Sequence, residues 1–191
     1  KDLVSVCDHL YEGEPGDDTT VAAVHIMPRT TTRVMVGPAS SPDMDAKQVR
    51  DLILTSGKKV VCGGTTSKIV ARELGQRIDV ELKYYDEEVP PTAHIEGIDL
   101  VTEGILTLSA AEKRMKEYLD EYEDNVRKKE ILDLDKKDGA TKLVRLLVEE
   151  CTDVVFMMGQ ANNPAHQNLD APVSLNIKVR IVQNIATMLE K

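Results

Sequence analysis

The sequence has few cysteines, and none of them form a close pair. The three are Cys7, Cys62 and Cys151, an odd number spread widely along the chain. A disulfide framework needs paired cysteines, so this pattern is typical of reduced thiols in a cytosolic protein. No apolar run approaches the roughly 20 residues that a membrane-spanning helix needs, and no signal peptide is recognisable. We therefore expect a cytoplasmic protein with no membrane segment in this chain.

Positive charge is scarce relative to negative charge. The chain has 24 Lys and Arg against 33 Asp and Glu, which gives a formal net charge of -9 at pH 7. A protein that binds nucleic acid through its phosphates would have to overcome this repulsion, so nucleic acid is not an expected partner. The 41% of hydrophobic and 30% of charged residues are instead typical of a globular protein with a buried core.

The chain begins in the middle of a pattern. Its first residue is Lys1 rather than Met, and an apolar stretch follows at once with no helix-capping signal before it. A length of 191 residues suffices for one domain with a piece of another. We expect a fragment with three parts, which are the remnant of one domain at residues 1–28, a strand and hinge at 29–42, and a second domain at 43–191.

Strand and helix signals alternate in the second domain. Val-rich strands separated by helices predict an α/β fold, with a mostly parallel sheet and helices on both of its faces. An additional β-branched strand is predicted at 19–27, where Pro28 stops it. The other predicted strands are 30–36, 58–62, 78–84, 98–101 and 153–158, and the predicted helices are 45–55, 66–74, 109–129, 140–150 and 174–190.

The long helix at 109–129 carries an apolar stripe. Ser109 and Glu112 have the spacing of a capping box, which predicts that the helix begins at Ser109. The stripe would pack on the sheet of its own domain, or alternatively on a second copy in a coiled-coil homodimer. Its members are Met115, Leu119, Tyr122 and Val126.

An acidic motif precedes the predicted strand at 19–27. Asp17-Asp18-Thr19-Thr20 would place carboxylates at a strand entrance, where Mg²⁺ or Mn²⁺ could bind their oxygens. The same residues are also ordinary turn formers, so the motif alone leaves both interpretations open.

The wider sequence at 8–24 is more specific. It reads Asp-His-Leu-Tyr-Glu-Gly-Glu-Pro-Gly-Asp-Asp-Thr-Thr-Val-Ala-Ala-Val. This segment resembles the C-terminal end of SpoIIE-type serine/threonine phosphatases of the protein phosphatase 2C superfamily, in which a helix end, a Gly/Pro turn and Asp-Asp-x-Thr precede the last strand. The resemblance covers roughly residues 1–27. It implies that Asp17 is a ligand of a two-metal Mg²⁺ or Mn²⁺ centre in the intact phosphatase, with Asp18 in a supporting role.

The remaining motifs of that centre have no counterpart in this chain. A two-metal centre needs several carboxylates, and the family supplies them from an Asp-Gly pair and other aspartates earlier in the sequence. Here Asp138-Gly139 follows the final motif, which is the wrong order. We therefore expect that the phosphoprotein substrate and the metal belong to the parent protein, and that this fragment holds no cofactor and is inactive alone.

The strongest binding signal is a glycine turn between a strand and a helix. Gly63, Gly64, Thr65 and Thr66 follow the apolar strand at 58–62 directly. Glycines allow a ligand to approach the backbone, and a helix N-terminus attracts anions, so these residues predict a phosphate or carboxylate site. The alternative is a tight turn in which Thr65 or Thr66 merely caps the helix. Cys62 has no His-Cys-x5-Arg context and is interpreted as a buried thiol rather than a nucleophile.

Two other polar segments follow predicted strands. The loop at 159–170 contributes Asn162, Asn163 and His166, and Glu103 follows the strand at 98–101. Ligands of parallel sheets bind beyond the carboxyl ends of the strands, where these groups would lie. His166 or Glu103 would serve as acid or base if the domain were an enzyme. Alternatively the amides bond their own loop, and Glu103 is a solvated carboxylate.

The second domain also resembles a known one. The sequences Lys-Lys-Val-Val-Cys-Gly-Gly-Thr-Thr at 58–66, Ile-Glu-Gly-Ile-Asp-Leu-Val-Thr-Glu-Gly at 95–104 and Asn-Pro-Ala-His-Gln at 163–167 look like the domain that follows the phosphatase in some bacterial SpoIIE-type proteins. We expect it to bind a small anionic ligand or a partner protein and thereby regulate dephosphorylation. The alternatives are an enzyme for a small phosphorylated or carboxylated substrate, or a dimerisation module.

Overall fold

The computed structural model describes most of the chain. The described residues are 2–12, 14, 16, 20, 22, 24, 26, 28–119, 131–133, 135–160 and 171–190, and side chains are described for all of them except 2–4 and 171–175. The first element is helix α1, Asp2–Leu10, in the segment whose resemblance implies a helix end before the Gly/Pro turn.

The strand predicted at 19–27 is not formed by the described residues of that stretch. Val24 and Ile26 have no strand partner, and their exposed fractions are 87% and 88%. A β-branched sequence becomes a strand only where a neighbouring strand pairs with its backbone. The prediction is therefore wrong for the residues that can be described.

The sheet of the α/β domain has six strands among the described residues. Four of them, β1, β2, β5 and β6, are parallel, whereas β4 runs antiparallel to β5 and β3 antiparallel to β4. The order across the sheet is β3-β4-β5-β2-β1-β6. The predicted α/β fold with a mostly parallel sheet is confirmed. The strands are Thr31–Val36 (β1), Lys59–Cys62 (β2), Asp79–Val80 (β3), Ala93–His94 (β4), Leu100–Thr102 (β5) and Asp153–Met158 (β6).

Five helices and one short 3-10 turn surround this sheet in the described part of the chain. Four of them agree with the predicted helices to within a few residues, whereas the helix predicted at 109–129 is described only as far as Leu119, because 120–130 lie outside the described residues. The turn is Pro42–Met44, and the helices are Asp45–Ile53 (α2), Gly64–Leu74 (α3), Ile105–Leu119 (α4), Gly139–Glu149 (α5) and Ala171–Leu189 (α6).

The start of α4 differs from the prediction. The helix begins at Ile105, so Ser109 lies inside it and the predicted capping box with Glu112 is wrong. Glu103 takes the capping role instead, because its Oε2 accepts a hydrogen bond of 3.1 Å from the Leu106 N–H. A carboxylate before the first turn satisfies an N–H that has no helical acceptor.

The strand predicted at 78–84 is shorter in the structure, since β3 contains two residues.

The sheet buries both of its faces. Val34 and Val36 of β1 pack towards α4, α5 and α6, while Met35 between them packs towards α2 and α3. This alternation follows from the two-residue period of a strand. All three side chains are at most 1% exposed, and each contributes roughly 1.5–3 kcal/mol by leaving water. Met115 of the predicted apolar stripe also lies in this core, whereas Tyr122 and Val126 are outside the described residues.

Strand β1 belongs to the same sheet as the strands that follow residue 43. Val34 is paired with Val60 of β2 on one side and with Phe156 of β6 on the other. The sheet therefore begins earlier in the chain than the predicted domain at 43–191. β2 and β5 lie on one side of β1. After β5 the chain crosses the sheet and places β6 on the opposite side of β1. The boundary between β1 and β6 is a topological switch point.

The loops after β1 and β6 touch at this switch point. The Gly159 N–H donates a 2.7 Å hydrogen bond to the carbonyl of Val36. A Cβ atom at Gly159 would lie 2.1 Å from the carbonyl oxygen of Pro38, so no larger residue fits without a backbone shift. Gly37, on the other side of the contact, has a φ of 86°, which favours glycine.

A partly buried ion cluster joins α4 to the start of α5. Arg114 of α4 donates to Asp86 at 2.6 Å, to the Thr141 hydroxyl at 3.0 Å and to Asp138. Asp138 also caps α5 by accepting from the N–H groups of Ala140 and Thr141, both at 3.0 Å. Burial of Asp138 opposes its ionisation, but the Thr141 N–H and Arg114 outweigh it and lower the pKa of this carboxyl. The charged form of Asp138 therefore stabilises the fold.

Asp138→Asn tests this cluster through acid unfolding. A carboxyl with a lowered pKa stabilises the folded state above its ordinary pKa of about 4, and this contribution is lost as pH falls through the lowered value. The free energy of unfolding, measured with urea from pH 7 to 2.5, should fall less steeply below about pH 5 in Asp138→Asn than in the unmodified protein. At pH 7 the free energy of unfolding should be about 1–2 kcal/mol lower in Asp138→Ala than in Asp138→Asn, because alanine also removes the cap of α5.

The matched control is Asp135→Asn, a change of the same kind at an exposed position in the preceding loop. It should follow the unmodified protein across the pH range. If the free energy of unfolding fell with pH in the same way in the unmodified protein, Asp138→Asn and Asp135→Asn, the charge of Asp138 would not stabilise the fold.

Candidate ligand site at the carboxyl edge of the sheet

The turns after β2 and β5 lie side by side. Cys62 and Thr102 are paired at the ends of these strands, and the Gly63 N–H donates a 3.0 Å hydrogen bond to the Thr102 carbonyl. A Cβ atom added to Gly104 would lie only 3.6 Å from the Gly63 Cα. The structure thus brings the predicted glycine turn next to the segment that contains Glu103.

The glycine turn leads into α3 without a side-chain cap. Gly63 is the N-cap residue, with φ 119° and ψ 134°, and α3 begins at Gly64. The first helical hydrogen bond runs from the Ser67 N–H to the Gly63 carbonyl at 2.8 Å. Thr65 and Thr66 lie within the helix, so the alternative in which one of them is the cap is wrong. The N–H groups of residues 64–66 precede the first helical bond, as at any uncapped helix start.

The N–H groups of Gly64 and Thr65 form an exposed surface suited to an anion. Gly64 and Thr65 are exposed, and a Cβ atom added to Gly64 would meet nothing within 4 Å. Thr66 is 1% exposed and lies beneath them. The positive end of the helix dipole is added to the N–H groups, so a phosphate or carboxylate oxygen would be stabilised here.

Glu103 introduces a negative charge beside the glycine turn. Its carboxylate is held at the start of α4 by the Leu106 N–H, and its charge adds to burial, the larger cause, in raising the pKa of the Cys62 thiol. A carboxylate accepts hydrogen bonds but donates none when ionised. It would therefore favour a ligand with a hydroxyl or ammonium group next to its anionic group. An acid or base role of Glu103 stays a prediction.

Cys62 is a buried thiol. The residue is 1% exposed, and burial raises the pKa of the thiol to about 11, although a hydrogen bond with Thr102 acts in the opposite direction. At neutral pH the sulfur is protonated, and a protonated thiol is a poor nucleophile. The interpretation of Cys62 as a core residue is confirmed.

Several predicted site residues lie outside the described residues. They include the proposed metal ligand, and no group of three His, Cys, Asp or Glu in the described chain could hold a metal ion. The described donors therefore do not form a Mg²⁺ or Mn²⁺ site. The loop at 159–170 starts on the expected edge, since Gly159 and Gln160 follow β6, which is separated from β2 by β1. The predicted residues that are not described are Asp17, Asp18, Asn162, Asn163 and His166.

A recurring glycine at this edge is a feature that the sequence-based predictions did not include. Each of the four parallel strands ends within two residues of a glycine, which is a pattern that the sequence does contain. Such glycines permit the close backbone approaches observed between neighbouring turns. The four are Gly37, Gly63, Gly104 and Gly159.

Alanine substitutions at Gly63 and Gly64 test the conformation of the turn. Gly63→Ala should lower the free energy of unfolding by about 1–3 kcal/mol, because its φ of 119° is strained for a residue with a Cβ atom. The new Cβ would also lie 3.1 Å from the Thr66 hydroxyl. Gly64→Ala is the matched control and should preserve stability or raise it by up to about 1 kcal/mol. If urea denaturation showed the same loss of unfolding free energy in Gly63→Ala and Gly64→Ala, the described conformation of the turn would be wrong.

Comparisons with known proteins give no relationship for this chain. No protein-family model matches it, and no curated protein or solved structure matches it either. The helices in the described part of the chain include none that is long and apolar enough to cross a membrane. Function must therefore be argued from the residues and from the carboxyl edge of the sheet.

Proposed function

We propose that this chain is the C-terminal part of a bacterial metal-dependent serine/threonine protein phosphatase. Its α/β domain binds a small anionic ligand at the start of α3 and thereby regulates dephosphorylation by the rest of the protein. The phosphatase assignment is supported by the resemblance of residues 8–24 to the end of a SpoIIE-type catalytic domain. Catalysis is not assigned to the chain itself, and the metal belongs to the intact phosphatase domain.

The start of α3 carries the ligand-binding part of the proposal. Three successive N–H groups, those of Gly64, Thr65 and Thr66, precede the first helical bond at the carboxyl edge of the sheet. Gly63 has a backbone conformation reserved for glycine, and open space lies where a Gly64 side chain would be. Parallel α/β sheets bind ligands at this edge, and anions bind helix N-termini.

The surrounding charge limits the kind of ligand. With a net charge of -9 the protein does not attract anions over a long range. Binding would depend on short, directional N–H bonds, which favour a compact phosphate or carboxylate. Glu103 beside the turn favours a hydroxyl or ammonium group on the same molecule. A small hydroxylated phosphate, such as a sugar phosphate or a nucleotide, has both features.

Strand β1 links the site region to the part of the chain that resembles the phosphatase. The Arg29 guanidinium bonds both oxygens of Asp153 at 2.9 and 2.7 Å, and the Thr30 N–H bonds the Thr152 hydroxyl at 3.0 Å. These contacts hold the entry to β1 against the start of β6. A ligand regulates only if it binds two states with different affinity, and a changed position of β1 would alter the attachment of the preceding segment.

Gly64→Asp provides a direct test of ligand binding. The new carboxylate would lie at the N-terminus of α3, where it favours the helix but repels a second anion. Thermal-shift measurements should find nucleotides or phosphorylated sugars that raise Tm of the unmodified chain. Isothermal titration calorimetry should then show at least a tenfold weaker affinity for Gly64→Asp, and Tm without ligand should be unchanged or higher.

Ser109→Asp is the matched control, since it adds the same charge at an exposed position of α4. It should bind like the unmodified chain. Equal weakening in both variants would indicate a general charge effect rather than a site. If no phosphorylated compound binds, and if the full-length phosphatase is regulated normally after deletion of residues 29–191, which removes β1 together with the rest of its sheet, the proposed function is wrong.

A further inference from the structure

An apolar strip lies at the β3 edge of the sheet. Val80, Leu82 and Tyr84 occupy every second position of the chain, and their exposed fractions are 61%, 88% and 64%. No turn or bend interrupts residues 81–84, so the chain continues past β3 in the same direction. We call these three side chains the β3 edge strip. Large apolar side chains on an edge strand are a recognised site of association with another strand.

The β3 edge strip continues one face of the domain core. Val80 is paired with Ala93 of β4, and Ala93 is paired with Val101 of β5. Ala93 and Val101 both belong to the core cluster beneath α2 and α3. The strip therefore extends this core surface beyond the area that the two helices cover.

The backbone of the strip presents unpaired groups at the sheet edge. The Glu81 N–H donates a 3.0 Å hydrogen bond to the Thr92 carbonyl, so Glu81 bonds towards β4. Alternate residues of an antiparallel strand direct their N–H and C=O groups to opposite sides. The groups of Val80 consequently point away from β4, and those of Leu82 and Tyr84 follow the same alternation if the extended course continues; no other strand among the described residues pairs with β3 on that side.

The opposite side of this segment is charged. Glu81 accepts hydrogen bonds from the Thr92 hydroxyl at 3.0 Å and from the Tyr85 hydroxyl at 2.7 Å. The Lys83 ammonium lies 4.9 Å from the centre of the Tyr85 ring. Glu81 and Lys83 are thus two residues apart, with Leu82 between them.

We propose that the β3 edge strip pairs antiparallel with the same strip of a second copy of this chain, across a twofold axis at Leu82. In this register Leu82 faces its own equivalent, and Val80 faces Tyr84 of the other copy. Residues whose N–H and C=O groups point outward then face each other, as an antiparallel ladder requires. The two six-stranded sheets would join edge to edge.

Charge complementarity supports a second copy as the partner. The register places Glu81 opposite Lys83 of the other copy, and the twofold axis repeats this pair with the roles exchanged. Opposite charges at facing positions stabilise a strand pair, whereas like charges destabilise it. The segment 80–84 is therefore complementary to itself in apolar side chains, in charge and in backbone hydrogen bonding.

Leu82→Lys tests the proposal in solution. Sedimentation velocity over a range of concentrations should show a dimer for the unmodified chain and a monomer for Leu82→Lys, because the twofold axis places two ammonium groups face to face. Lys83→Glu should also weaken the dimer at least tenfold, since it faces Glu81 of the other copy. Leu54→Lys is the matched control, as Leu54 is 71% exposed and lies after α2. It should remain dimeric.

Two results would overturn the proposal. One is an unmodified chain that is monomeric at all concentrations, which would leave the strip for a different partner. The other is a dimer that persists in Leu82→Lys. Circular dichroism and Tm of each variant would show that any loss of the dimer occurs in a folded protein.

Discussion

The structure depends on the pairing of β1 with strands on both of its sides. β1 bonds β2 at one edge and β6 at the other, and its apolar side chains are buried on both faces. Every other parallel strand is positioned relative to it. β1 is the fifth of the six strands, between β2 and the edge strand β6, so a shift of the segment before it would displace a strand on each side.

The same pairing determines where a ligand can bind. Parallel strands end at one edge, so the turns after them become neighbours in space although they are far apart in sequence. Gly63 and Gly104 approach closely at this edge, and Gly37 and Gly159 do so at the switch point. Larger side chains would prevent such approaches, so the backbone itself forms part of the described surface of this edge. This composition suits a small anion better than a large apolar ligand.

Much of the fold could be predicted from the sequence. The buried strands β1, β2, β5 and β6 are β-branched or apolar runs, and α3 ends at Gly75 with a φ of 64°, as its sequence indicates. The alternation of strands and helices then predicts a parallel sheet. The glycine turn was recognised because strand, glycines and helix follow one another directly, so its geometry is local.

Other features were beyond sequence reasoning because they depend on distant partners. The stretch 19–27 has a strand pattern, yet its described residues lack the neighbour that a strand requires. α4 starts at Ile105 because Glu103 supplies a cap that competes with the more familiar pattern at Ser109. Nothing local indicates that β6 returns to the side of β1, or that Arg114 joins Asp86 and Asp138. These contacts join residues more than 20 positions apart.

In the proposed function an anion binds the N–H groups at the start of α3. The most direct measurement is an NMR titration of the ¹⁵N-labelled chain with inorganic phosphate, followed through the backbone amides. We expect saturable shifts that are largest at Gly64, Thr65 and Thr66 and smaller at Gly104 on the neighbouring turn. Shifts that do not saturate, or that are largest on another surface of the domain, would contradict it.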